Sequence, residues 1–156
     1  MSSYRVVQWT SGKVARKALL AVLAHPELEL VGLYAYSPDK VGKDAGVLCG
    51  AAPVGVTATA DADALLALKP DCVLYNPLYP DTGEICRILA SGKNVVSSSI
   101  VPLVHPKSFV PTLRDQLEEA CGTGGTSFIT SGIDPGFAND LLPLTLSGLC
   151  GTWSEI

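Results

Sequence analysis

The chain has 156 residues, enough for one domain with a sizeable core. Apolar residues make up 47% and charged residues 17%, which excludes a disordered segment, and no run reaches the ~18 uninterrupted apolar residues of a membrane helix. The net charge of −4 comes from 11 basic against 15 acidic residues, and the basic ones are scattered, so a nucleic-acid-binding face is not expected.

The N-terminus, Met1-Ser2-Ser3-Tyr4-Arg5, carries no basic segment followed by an apolar stretch, so no secretory signal is read. Tyr4 to Trp9 is an apolar strand that meets the turn Thr10-Ser11-Gly12. A helix follows to about Ala24, and a second strand runs from Leu28 to Tyr36 before Ser37-Pro38-Asp39-Lys40. Val54 to Thr59 reads as a short strand. Asp61 is placed to cap a helix over Ala62 to Leu68, which Lys69-Pro70 stops. Asp71 to Tyr75 is a buried strand ending on Asn76-Pro77. Asp81 opens a helix through Ile85, Ile88 and Leu89, closed by Ser91-Gly92. The next strand is Asn94 to Ser97. A helix is predicted from about Pro106 to Cys121, ending at Gly122, then a strand from Ser127 to Thr130. The turn Ser131 to Gly136 feeds a last helix, about Phe137 to Leu149, and Gly151 to Ile156 reads as the start of another strand.

Strands alternating with helices imply parallel strands and right-handed crossovers. The expectation is an α/β fold, a Rossmann-like doubly wound parallel sheet of about six strands. On this reading residues 1–150 are expected to form a dinucleotide-binding Rossmann domain, and 151–156 to be the start of a strand leading to an absent C-terminal domain.

The opening strand–turn–helix–strand is the frame of a dinucleotide-binding unit. Its fingerprint, Gly-x-Gly-x-x-Gly, is reduced to Gly12, with Thr10 and Ala15 at the outer positions. Gly12 lets backbone approach a pyrophosphate, the helix behind it favours negative charge, and Ala15 allows close helix–strand packing. Thr10, Ser11, Gly12, Lys13 and Val14 are therefore candidate pyrophosphate contacts. At the end of the second strand, Ser37 and Lys40 suit a 2′-phosphate and predict NADP over NAD, while Asp39 pulls toward a free ribose. The turns at Asn76-Pro77 and Ser98 lie on the same sheet edge and would border the nicotinamide.

Two residues are candidates for acid–base work. His105 stands on a loop near that edge. Asp134 sits in Gly132-Ile-Asp-Pro-Gly-Phe137, where it either serves the site or caps the last helix. His25 is read as structural. The cysteines, Cys49, Cys72, Cys86, Cys121 and Cys150, form no paired ligand motif and read as thiols in a reducing cytoplasm.

Tyr4 to Gly12, Tyr36 to Gly42, Asp44 to Gly50, Gly92 to Val96 and Gly132 to Phe137 together carry a resemblance. The chain resembles the N-terminal domain of dihydrodipicolinate reductase-like oxidoreductases, in the branch of actinobacterial proteins related to 2,4-diaminopentanoate dehydrogenase and native amine dehydrogenases. The resemblance implies an NAD(P)-binding Rossmann domain followed by an α/β domain that closes over a small-molecule substrate and makes a homodimer. It also implies hydride transfer between nicotinamide and a C=N carbon. Amine dehydrogenases of this group carry a carboxylate pair just after the strand matching Asn94 to Ser97, where this chain has Ser98-Ser99-Ile100-Val101. That departure, with the missing domain, leaves two expectations open: the cofactor domain of a reductase with little turnover alone, or a non-catalytic NAD(P)-binding sensor or assembly module.

Overall fold

The computed structural model describes residues 3–105, 107 and 111–152. Six strands form one parallel sheet in the order β3-β2-β1-β4-β5-β6: β1 Tyr4–Trp9, β2 Leu28–Tyr34, β3 Ala58–Thr59, β4 Cys72–Tyr75, β5 Asn94–Ser97 and β6 Phe128–Thr130. This is the doubly wound order, with its switch point between β1 and β4.

Alternation along β1 divides the core. Val6 faces α1 (Lys13–Ala24) and α2 (Ala45–Cys49), where Leu19, Val22, Ala45 and Cys49 pack with Leu30 and Leu33. Val7 and Trp9 face the other side, against α3 (Ala62–Ala67), α4 (Thr82–Ala90) and α5 (Pro111–Gly124). There Ile85, Ile88, Leu89 and Leu117 meet Val73, Tyr75 and Val95. Burying each large aliphatic side chain contributes roughly 1.5–3 kcal/mol, so both faces need their helices. α4 and α5 approach closely: a Cβ on Gly124 would lie 1.9 Å from the Leu89 carbonyl oxygen, so no side chain fits there.

The predicted elements are present, with corrections at their boundaries. β2 stops at Tyr34, and β3 keeps only Ala58–Thr59 of the expected Val54–Thr59 run. α5 passes through Gly122 to Gly124 and turns at Gly125, whose φ is +62°. The single last helix is instead a π-helical turn, Phe137–Leu141, followed by α6, Leu142–Ser147. α6 buries none of its residues. One helix, α2, is missing from the sequence reading. At five residues it has too few turns to show a period, and it exists because Asp44 caps its start and Gly50 closes it in the left-handed region. The predicted helix start at Pro106 and the strand at Trp153 to Ile156 lie outside the described residues.

Register levels the strand ends. Tyr34 pairs with Trp9, Trp9 with Tyr75, Tyr75 with Ser97, and Ser97 with Thr130. The carboxyl ends of five strands thus form one row, and the turns beyond them open on one edge.

Candidate functional site

The turn after β1 is the tightest part of that edge. Thr10 has φ +88°, in the region where the fingerprint has its first glycine. A threonine there costs about 1 kcal/mol or more, and its surroundings hold it in place. Its N–H donates to the Tyr34 carbonyl at 3.0 Å, and its hydroxyl donates to the Asn76 carbonyl at 3.3 Å. The hydroxyl is therefore engaged by the turn after β4. Gly12 has an ordinary φ of −73°, and a Cβ on it would meet nothing within 4 Å. Neither strain nor packing demands glycine at 12. What it leaves clear is the space in front of α1.

α1 begins on Gly12 with no side-chain cap and no acidic residue in its first turn. The first intrahelical bond is Arg16 N–H to the Gly12 carbonyl at 2.9 Å. The N–H groups of Lys13, Val14 and Ala15 therefore point out of the helix end, beside the positive pole of its dipole. Ala15 is fully buried behind them, as close packing on the strand requires.

Two adjoining hollows run along the edge and share Gly12, Asn76, Pro77 and Leu78. The smaller, about 190 Å³, adds Thr10, Ser11, Tyr36, Ser37 and Lys40. The larger, about 420 Å³, adds Lys13, Val14, Ser98 and Ser99. The ten residues expected to contact cofactor thus line one continuous groove. Lys40 Nζ donates to the Ser11 carbonyl at 3.2 Å, and Lys40 N–H donates to the Ser37 carbonyl at 2.9 Å. That turn brings Ser37 and the Lys40 ammonium to the groove, whereas Asp39 lines neither hollow. On the far side, buried Gln8 donates to Asn76 Oδ1 at 3.1 Å, and Asn76 Nδ2 donates to Ser98 Oγ at 2.8 Å. This chain of bonds fixes the β4 and β5 turns to each other.

The two acid–base candidates stand elsewhere. His105 follows the 3-10 turn Val101–Val104, and Asp134 lies on an exposed turn where it accepts from Asn139. Neither lines the groove, and Asp134 caps no helix.

One cluster beside the groove was missed by sequence reasoning. Trp9 stacks on Tyr34 with ring centroids 4.5 Å apart, and Tyr36 meets Tyr34 edge-on at 4.8 Å. Tyr36 and Tyr75 both donate to Glu84 Oε2, at 2.6 and 2.7 Å. Burial, with the Glu84 carboxylate beside them, pushes both phenols well above the usual tyrosine value. Asp81-x-x-Glu84 has the spacing of a capping box, and Asp81 does accept from Glu84 N–H at 3.1 Å. The Glu84 carboxylate does not turn back to the helix end. It reaches the tyrosines.

Over 96% of its length the chain is 43% identical to an amine dehydrogenase of Streptomyces virginiae. The chain is a homologue of amine dehydrogenase. It spans 43% of that protein. A segment covering 40% of this homologue is 38% identical to a 4-hydroxy-tetrahydrodipicolinate reductase of a Synechocystis species, over 23% of the latter. Among solved structures, an amine dehydrogenase from Mycobacterium smegmatis superposes with a TM-score of 0.72 and 29% identity, over 84% of this chain and 40% of that one. A 3-ketoreductase from Actinomadura kijaniata in complex with NADP superposes at 0.68 with 20% identity, over 95% and 44% of the two chains, and shares the fold. No family model matches the chain.

Proposed function

We propose that the chain is the NAD(P)-binding part of an oxidoreductase that moves hydride between nicotinamide and a C=N or related carbon, with NADP preferred. The observation that carries this is the open start of α1, which faces a groove built from the turns after β1, β2, β4 and β5. Three helical N–H groups with no cap suit a pyrophosphate, and the clear space at Gly12 admits it. Ser37 and Lys40 sit where the adenosine ribose would lie, and a hydroxyl beside an ammonium suits a 2′-phosphate. Asn76, Pro77 and Ser98 border the nicotinamide end.

The cofactor, once bound, supplies the hydride. The chain's part is to orient it across the sheet edge. Excluding water and positioning a substrate fall to the rest of a longer protein, and His105 and Asp134 keep a place in this proposal only as substrate-side acid–base groups. Cofactor binding with little turnover is expected of these 156 residues alone. The setting we infer is the reducing cytoplasm, in keeping with five cysteines that are free thiols.

A non-catalytic sensor or assembly module is the second reading. It is favoured by the segment Ser98-Ser99-Ile100-Val101, whose apolar pair cannot polarise water or hold an ammonium group as the carboxylates implied by the resemblance would. Ser98 already accepts from Asn76.

Calorimetric titration with NADPH and NADH tests the reading. Tighter binding of NADPH is expected, and Lys40→Ala should remove about tenfold of its affinity while sparing most of NADH's. Binding of neither cofactor overturns it. Robust reduction of an imine by this chain alone overturns the assignment of closure to a further domain.

A further inference from the structure

Resting on the reading of the groove as a dinucleotide site, we propose that Tyr36 is the stacking platform for the purine base, and that Glu84 is the positioning residue that holds its ring.

Tyr36 lines the smaller hollow beside Ser37 and Lys40, the end assigned to the adenosine ribose. It is 52% exposed although its hydroxyl is tied down, and it lines that hollow. Leu78, 84% exposed, lines the same hollow and offers an apolar counterpart. A planar, weakly polar ligand group fits between such walls, and a purine is the planar group a nicotinamide dinucleotide would present there.

An exposed tyrosine two residues past a strand end would ordinarily sample several rotamers. Here two contacts remove that freedom. The ring meets Tyr34 edge-on at an interplanar angle of 82°, and Tyr34 is stacked on fully buried Trp9. The hydroxyl donates to Glu84 Oε2 at 2.6 Å. Glu84 is itself fixed because the same oxygen accepts from the Tyr75 hydroxyl, and Tyr75 is fully buried at the end of β4. The Tyr75 hydroxyl also accepts from Asp81 N–H at 3.1 Å. The clamp joins the loop after β2 to the first turn of α4 and the end of β4. A preset aromatic ring loses little rotamer entropy when a base stacks on it, so stacking contributes more fully to affinity.

The test is calorimetric titration of the 156-residue chain and its variants with 5′-AMP, nicotinamide mononucleotide, NADPH and NADH, with melting curves to establish folding. Tyr36→Ala should lose about tenfold in affinity for 5′-AMP and for both dinucleotides, with nicotinamide mononucleotide unchanged. Tyr36→Phe keeps the ring but loses the clamp, and should lose about threefold. Glu84→Ala should weaken 5′-AMP as Tyr36→Phe does, and Glu84→Gln, whose amide oxygen still accepts from a phenol, should restore part of it. A residue with only a structural role would lower the melting temperature without splitting 5′-AMP from nicotinamide mononucleotide. Wild-type affinity for 5′-AMP in a folded Tyr36→Ala chain overturns the platform while leaving the dinucleotide reading intact. If the unsubstituted chain binds none of the four probes, both fall.

Discussion

Four helices follow the strands on the way from β1 to β5, and their starts are built in two ways. α2, α3 and α4 open on Asp44, Asp61 and Asp81, each of which accepts hydrogen bonds from the first-turn N–H groups. Asp44 does most: its carboxylate accepts from Gly46, Val47, Val54 and Gly55, so a five-residue helix has a complete anion site filled by its own chain. α1 opens on Gly12 and has none of this. The physical requirement is the same at all four ends, because the first N–H groups of any helix lack intrahelical partners. Where an aspartate satisfies them, the end is structural. Where the chain leaves them clear, within reach of an ammonium group, the end is available to an external anion.

The strongest way to break this contrast is to make α1 like the others. Gly12→Asp places a carboxylate where there is open space, at a backbone conformation suited to a cap. The fold should hold or gain a few tenths of a kcal/mol, while NADPH affinity falls roughly a hundredfold through filled donors and charge repulsion. Melting curves and calorimetry on one preparation check both halves. Normal NADPH binding by the Gly12→Asp chain would show that the helix start is not where the pyrophosphate sits.

The converse change should touch stability alone. Asp61→Ala removes the bond to Ala64 N–H and should cost about 1 kcal/mol in denaturant unfolding, with NADPH affinity unaltered.

A pH series sharpens the comparison further. Desolvation opposes ionisation of Asp44, yet its four backbone donors win and hold the carboxyl below the usual value. With the folded value depressed, its contribution is present above the ordinary aspartate range and is lost as pH falls through the lowered value. The melting-temperature gap between the unsubstituted chain and Asp44→Asn should therefore be open at neutral pH and close in acid.

The smallest effect is spectroscopic. Tyr36 and Tyr75 have raised values, so their stabilisation holds below the ordinary tyrosine range and disappears above it. Alkaline titration by tyrosinate absorbance should show three groups, Tyr34, Tyr36 and Tyr75, ionising above the ordinary tyrosine range. In Tyr36→Phe one of them should vanish.

Much of the groove was legible because a parallel sheet leaves little choice. Once strands and helices alternate, the turns after the strands must share one edge, so Gly12, Ser37, Asn76 and Ser98 could be grouped without knowing a distance. The ends of β1, β2, β4 and β5 lie level in their register, which brings those turns side by side. The acid–base candidates fared differently. His105 and Asp134 have acid–base chemistry and lie near that edge in the topology, but neither lines the groove. Glu84 was hidden for the opposite reason. It lies 48 positions from Tyr36 and 9 from Tyr75, in a spacing that already has a local explanation as part of a helix cap.

The sequence by itself determined the sheet, its parallel sense and the helix starts at Asp61 and Asp81, because hydrophobic period, caps and breakers act over a few residues. It also determined that the first helix would begin on a bare glycine. Only the tertiary structure decided that Thr10 would take the left-handed conformation and give its hydroxyl to the Asn76 carbonyl, that Lys40 would fold back onto the Ser11 carbonyl, and that two tyrosines would share one glutamate oxygen. Those contacts join residues far apart in the chain. No local pattern encodes such a contact, because its energy exists only once packing has brought both partners together.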